Sequence, residues 1–225
     1  MGPIEVLWAT VVLFFVMITL VRGYTRELGI TVLLLLALFV QVYFRERIEV
    51  VLCNRVFPTF NLRVVTIEQP NGPPQAIVLE CPFTPPPDML EKLKTGDEVW
   101  KQIFTRGELM NLLLVALFVG MLLVLLFIGY EGRTLAFPGA PAKGVEGFLL
   151  NVFIGLVNGW LFAGSVWYYM DKYHYPFMVR FELLKPEWTK TAQTLMEYFP
   201  PKLFEPRPEI LAAFAAVLIF LSIRR

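Results

Sequence analysis

The sequence predicts an all-α polytopic membrane protein with four transmembrane helices arranged as two helical hairpins. Three observations predict it. Hydrophobic residues make up 56% of the 225-residue chain, and the mean hydropathy is +0.60, more than a soluble domain needs to fill its core. Four long runs, residues 6–21, 28–44, 109–130 and 148–170, contain no charged side chain. Between the first two runs stands only a short basic turn, Arg22-Gly23-Tyr24-Thr25-Arg26-Glu27. Backbone polar groups cannot sit unpaired in hydrocarbon, so this reversal joins two membrane helices.

The element lengths fit. At a helical rise of 1.5 Å per residue the first two runs cover about 24–26 Å and the later two about 33–35 Å, against a hydrocarbon thickness of about 30 Å. Interfacial residues at 3–5 and 43–45 complete the first crossings. The chain therefore divides into a first transmembrane hairpin (1–47), an extramembrane insert (48–106), a second transmembrane hairpin (107–172) and an interfacial tail (173–225). A fifth apolar run, 210–223, covers about 21 Å. It reads either as a short membrane helix stretched by Glu209, Arg224 and Arg225, or as a buried or re-entrant helix. The first apolar run lacks a Lys/Arg-rich leader and a small-residue cleavage site, so a retained anchor is expected.

In the insert, residues 62–68 and 76–81 flank Pro70-Asn71-Gly72-Pro73-Pro74, which predicts a small β-hairpin. Residues 88–104 read as an amphipathic helix with Asp88 as N-cap and Glu91 three residues on, interrupted at Gly96. The connector 129–147, with five glycines and two prolines, reads as irregular. In the proline-punctuated tail, residues 187–199 read as a helix lying along the interface on Trp188, Leu195, Met196 and Phe199. Cys53 and Cys81 are expected to stay unpaired, since pairing requires an oxidising compartment.

Charge limits partners and sets orientation. A net charge of +1 gives no polyanion-binding signature, so nucleic acid is excluded as a partner. Arg45, Arg47, Arg55, Lys101, Arg106, Lys172 and Arg180 lie on the side of the N-terminus and the 45–108 segment. Arg22, Arg26, Arg133 and Lys143 lie on the other. The balance favours a cytoplasmic N-terminus and a cytoplasmic insert.

The fourth run carries the most organised pattern. Asn151, Gly155, Asn158, Gly159 and Phe162 share one helical face, and Gly155-Leu-Val-Asn-Gly159 is a GxxxG ridge that Ala163 extends. Small residues let another backbone approach, and a buried Asn can hydrogen-bond across the contact. The simplest use is packing against span two or three. The alternatives are self-association or a polar path lined by Asn151 and Asn158. No span carries a central ionisable residue, which argues against a proton-coupled pump.

In the turn, Gly23 supplies a positive φ or a close approach. Arg22 and Arg26 can bind lipid phosphates or exposed carbonyls, and Glu27 can sit on the helix dipole or pair with an arginine. The simplest expectation is a solvated anchoring turn without a partner. His174, the single histidine, lies among tyrosines at the exit of the fourth run, as in an interfacial aromatic belt. No metal-ligand spacing, haem-attachment motif, phosphate loop or Gly-x-Ser-x-Gly occurs, so no catalytic residue, metal ligand or cofactor is expected.

The Arg-Gly-x-x-Arg-Glu-Leu turn between two apolar spans, together with Gly144-x-x-Gly147 and Gly155-Leu-Val-Asn-Gly159, resembles the colicin V production (CvpA-like) family over residues 4–50 and 107–172. Arg22, Gly23, Arg26 and Glu27 match its turn, and Gly144, Gly147, Gly155 and Gly159 its fourth-span glycines. The resemblance implies a four-span bacterial inner-membrane protein linked to colicin V export and envelope maintenance, without enzymatic activity. The 45–108 linker and the apolar end at 210–223 are longer than in that pattern. The expected role is a non-enzymatic scaffold or accessory protein with the lipid bilayer and a membrane-protein partner or a second copy as its contacts. A small-solute channel and an accessory subunit of a respiratory or photosynthetic complex are the alternatives.

Overall fold

A computed structural model describes residues 3–68, 72–86, 88–89, 93, 96–131, 137, 144–176 and 189–223. The chain is an all-α polytopic membrane protein with one small sheet. Helix α1 is Pro3–Arg22 and α2 is Tyr24–Val51; α2 continues through a π-helical turn, Leu52–Val56, and a closing turn, Phe57–Thr59. Strands β1 (Val64–Ile67) and β2 (Gln75–Val78) follow, then α3 (Glu98–Tyr130), α4 (Gly144–Lys172), α5 (Lys190–Glu197), α6 (Pro200–Phe204) and α7 (Glu209–Ile223). Four segments, Glu5–Arg22, Tyr24–Thr59, Glu98–Tyr130 and Gly144–Lys172, are long and apolar enough to cross a membrane.

The chain forms two compact units, one of Met1–Tyr43, Phe118–Tyr169 and Glu187–Arg225, the other of Phe44–Leu117 and Met170–Pro186. In the first, a buried cluster gathers Phe15 of α1, Ile30, Leu34 and Leu38 of α2, Leu122 and Leu126 of α3, Leu161 of α4, and Leu211 and Ala215 of α7. Outward residues of the same helices are large and apolar, among them Phe14, Met17, Val124, Phe127 and Phe153. A helix apolar on every side suits a lipid surround, where the outer face loses nothing by exposure. Gln41, fully buried, donates from Nε2 to the Phe118 carbonyl at 2.7 Å. The Phe118 ring stacks on Tyr169 with centroids 4.5 Å apart.

In the second unit, β1 and β2 pair antiparallel with Val64 opposite Val78 and Ile67 opposite Gln75. Val65, Leu79, Phe83, Phe57 and Met110 are buried within this unit, while every residue of β2 is exposed. The hairpin expected from the sequence is present, though Asn71 of its turn lies outside the described residues. The helix expected over 88–104 is not one element. Gly96 adopts φ +82°, and a new helix starts at Glu98, with Asp97 Oδ1 accepting the Val99 N–H at 3.0 Å. Asp97 caps the helix that starts at Glu98. This helix runs unbroken through Arg106 and Glu108 into the third span. Arg106 does not end the helix because its guanidinium is consumed locally, donating to the Asn61 carbonyl at 2.9 Å and to the Val64 carbonyl.

In the tail, α5 starts later than expected, at Lys190, with Thr189 as N-cap accepting the Ala192 N–H at 3.1 Å; Glu187 and Trp188 lie outside the described residues. Phe199 does not lie on an interface. It is buried, 6.1 Å from Trp8 and packed against Gly164 of α4.

Candidate functional site: a buried carboxylate and a clamped insert

The first unit converges on Glu27. Its helix starts immediately after Gly23, whose φ of +84° makes the reversal and whose carbonyl accepts the Glu27 N–H at 3.3 Å. Glu27 is wholly buried, one turn inside the N-terminus of α2, where the helix dipole favours negative charge. Three side chains meet its carboxylate, and a fourth, Thr31, holds one of them. Arg22 Nε lies 3.6 Å from Oε1. The Tyr130 hydroxyl donates to Oε2 at 3.3 Å, and Asn158 Nδ2 reaches Oε2 at 3.4 Å and the Glu27 carbonyl at 3.2 Å. The Thr31 hydroxyl donates to Asn158 Oδ1 at 2.7 Å. Arg22 also lies over the Tyr130 ring, 4.6 Å from its centroid. An unpaired carboxylate in this setting would cost several kcal/mol, roughly; the Arg22 charge and the two donors on Oε2 offset part of that cost, while Oε1 accepts no hydrogen bond.

This overturns the expectation of a solvated turn without partners. Arg22 and Glu27 face inward, and of the four turn residues only Arg26 is exposed. The reason is distance along the chain: Asn158 lies 131 residues from Glu27 and Tyr130 lies 103, so no local pattern announces them. Thr31 and Tyr130 were not singled out by sequence at all. A hydroxyl one turn after a membrane carboxylate was the signal available for Thr31.

The fourth-span face serves intramolecular contacts, but with a different helix from the one expected. A Cβ on Gly155 would stand 2.6 Å from Val16 Cα, and one on Gly159 2.8 Å from Val12 Cα. The glycine ridge therefore packs backbone to backbone on α1, not on span two or three. The asparagines on the same ridge do reach span two. Asn151 Oδ1 accepts the Tyr24 N–H at 2.6 Å, satisfying the first donor of α2, and Asn158 engages Glu27 and Thr31. Both ends of the Asn158 amide and the carbonyl oxygen of Asn151 are thereby occupied by the protein's own groups.

The second unit is held differently. Cys53 and Cys81 form a disulfide with Cα atoms 5.8 Å apart, which corrects the expectation of two unpaired thiols. The expectation rested on the need for an oxidising compartment, and it failed because the hairpin brings Cys81 back to the π-helical end of α2. Arg63 Nη1 donates to the Cys53 carbonyl at 2.8 Å and to Asn54 Oδ1 at 3.2 Å. Asn111 of α3 grips the strap after β2 by both ends of its amide, accepting the Phe83 N–H at 3.0 Å and donating to the Phe83 carbonyl at 2.7 Å. Gly107 leaves the space that the Phe83 ring fills. A second carboxylate, Glu49, accepts from the Tyr173 hydroxyl at 2.6 Å and from Lys172 Nζ at 2.7 Å.

His174 is exposed in the turn that closes α4, with φ +58°, and its N–H bonds the Asp171 carbonyl at 2.9 Å. Its tyrosine neighbours do not form an outward belt, since Tyr169, Tyr173 and Tyr175 are buried. Among the described residues, no group of three or more His, Cys, Asp or Glu side chains is placed to hold a metal ion.

No family model, characterised protein or solved structure matches this chain. The resemblance of the 22–27 turn and the Gly144–Gly159 glycines to the colicin V production pattern therefore rests on those residues alone. What the geometry itself displays is a set of membrane helices joined through buried polar ties and an insert closed by a covalent clamp.

Proposed function

We propose that this chain is a non-enzymatic scaffold or accessory protein of a bacterial inner membrane that presents its disulfide-closed insert to a protein partner on the oxidising side. The observation that carries this reading is the insert itself. Cys53–Cys81, Arg63, Arg106 and Asn111 close it from within, while β2 and Phe60 stay exposed. A segment this constrained, with an apolar edge left uncovered, suits recognition rather than a mobile linker. The resemblance to the colicin V production pattern is compatible with it and would place the chain in export or envelope maintenance.

The disulfide supports an orientation opposite to the one the Lys/Arg balance favours. Stable disulfides belong to oxidising compartments, whereas charge bias weakens for long loops. With the insert outside, the short loops carrying Arg22, Arg26, Arg133 and Lys143 lie on the cytoplasmic side. A solute path through Asn151 and Asn158 is less favoured, because the Asn158 amide is spent on Thr31 and Glu27 and the Asn151 oxygen on the Tyr24 N–H.

A photo-reactive residue in place of Val78 tests the proposal in native membranes. The expected result is one protein adduct of fixed mass that disappears in Cys53→Ser, with none from the same residue at Val21, an exposed position of α1. Equal labelling at both positions, or none at Val78, would sink it.

A further inference from the structure

The two edges of the insert's small sheet are not alike. Leu79 donates its N–H to the Arg63 carbonyl at 2.6 Å, one step beyond the Val64–Val78 pair in the same register. Hydrogen-bonded and non-hydrogen-bonded pairs alternate along an antiparallel ladder. The Val65–Ile77 and Ile67–Gln75 pairs therefore exchange the ladder bonds, while Val64, Thr66, Ala76 and Val78 turn their N–H and C=O groups away from the neighbouring strand. On β1, the outward carbonyl of Val64 is taken by Arg106. On β2, the outward groups of Ala76 and Val78, two donors and two acceptors, bond to no described residue. Both residues are exposed.

Nothing in β2 shields this edge. Natural sheets blunt a free edge with lysine, proline or a bulge, and Gln75–Val78 has none of these and a regular register. The faces are also sorted. Ile77 lies on the side of the sheet that carries the buried Val65 and Leu79, and Ala76 and Val78 lie on the other. A strand bonded to Ala76 and Val78 sets its intervening residue opposite Ile77, where an apolar side chain extends the buried face.

Charge chooses between occupants. Glu68 and Glu80, both exposed, stand just past the ends of β1 and β2. If a second copy paired its β2 here, with Ala76 opposite Val78, its Glu80 would face Pro74. Glu68 lies opposite Pro74 on the other side when the register of β1 and β2 is continued. Two strand spacings then separate the carboxylates, about 10 Å, and symmetry repeats the clash. A foreign strand with Lys or Arg opposite Glu80 meets no such repulsion.

We infer that the free edge of β2 takes an extended segment of a partner protein as a third strand, with an apolar residue opposite Ile77 and a basic residue opposite Glu80. This rests on the scaffold reading above and names how its partner is held.

The test places a photo-reactive residue at Ala76 of the full chain in native membranes, alone and combined with Val78→Pro or Val78→Thr. Proline removes an outward N–H without touching a β1–β2 bond, and threonine keeps it. The inference expects one foreign-protein adduct, about tenfold weaker with Val78→Pro and undiminished with Val78→Thr. An adduct undiminished with Val78→Pro would overturn strand addition and leave the scaffold reading standing. An adduct with the mass of two copies would overturn the foreign strand. No adduct from the unaltered β2 would overturn the scaffold reading and the inference with it. Retention of the Cys53–Cys81 disulfide shows that the proline variant has folded. If it has not, hydrogen exchange on the unaltered complex decides: slowed exchange at the Ala76 and Val78 amides supports the inference, and unchanged exchange there overturns it.

Discussion

The two units differ in how far the chain must travel to hold itself together. In the unit of the insert, the clamps are near in sequence: Cys53 and Cys81 are 28 residues apart, Phe83 and Asn111 also 28, and Arg63 and Cys53 only 10. In the other unit the ties span the protein, with Thr31 to Asn158 at 127 residues, Tyr24 to Asn151 at 127 and Glu5 to Thr189 at 184. The Glu49–Tyr173 tie, 124 residues long, and the neighbouring Glu49–Lys172 ion pair are long-range exceptions in the insert's unit. Locally closed structure with a covalent clamp forms and persists by itself, whereas long-range polar ties between membrane helices require the helices to assemble first. The insert is therefore expected to survive damage to the bundle, and the bundle to survive damage to the insert.

The largest effect should come from breaking the bundle at its closest approach. Gly155→Leu or Gly159→Leu places a side chain where the backbone of α1 already stands, and should cost about 4 kcal/mol or more. Thermal unfolding in mild detergent measures it, and the Cys53–Cys81 disulfide should be cleaved by a mild added reductant no faster in the same variants than in the unaltered protein. Faster reduction accompanying the bundle's loss would show that the two units are one cooperative structure. Next, Cys53→Ser should remove about 3–4 kcal/mol from the insert by freeing its closed loop. Hydrogen exchange should place the loss in residues 52–86 and leave amides of α1 unchanged.

Smaller effects compare one asparagine from each unit. Asn158→Leu strands Thr31 and part of Glu27 and should cost about 2 kcal/mol, while Asn111→Leu frees both backbone groups of Phe83 at about 1–2 kcal/mol. The two should add in the double variant, because they share no partner; a coupling above roughly 0.5 kcal/mol would break the comparison. The smallest pair separates the turn's arginines. Arg22→Gln should lower stability by about 1 kcal/mol through loss of the charge beside Glu27, and Arg26→Gln, at an exposed position, should leave the unfolding temperature in place.

The four spans were legible because each is an uninterrupted apolar run, and the β-hairpin because Asn-Gly stands between β-branched residues. What escaped sequence reasoning escaped for identifiable reasons. Glu27 looks like a surface residue beside two arginines until Tyr130 and Asn158 arrive from distant helices. The glycine ridge of α4 declares a close neighbour without naming it, and α1 offers Val12 and Val16, which are ordinary membrane residues. Two lone cysteines carry no sign of pairing until the hairpin brings Cys81 back to the end of α2. The helix expected to end at residue 104 continues through Arg106 into the third apolar run, and Arg106 donates to carbonyls of the insert.

The account turns on a closed, oxidised insert, and one measurement addresses it most directly. Native membranes, kept sealed, are treated with an impermeant maleimide from the outer face, with and without prior treatment by an impermeant phosphine reductant. The account predicts no labelling of Cys53 or Cys81 before reduction and labelling of both afterwards. Labelling without reduction, or labelling only after the inner face is opened, would contradict it.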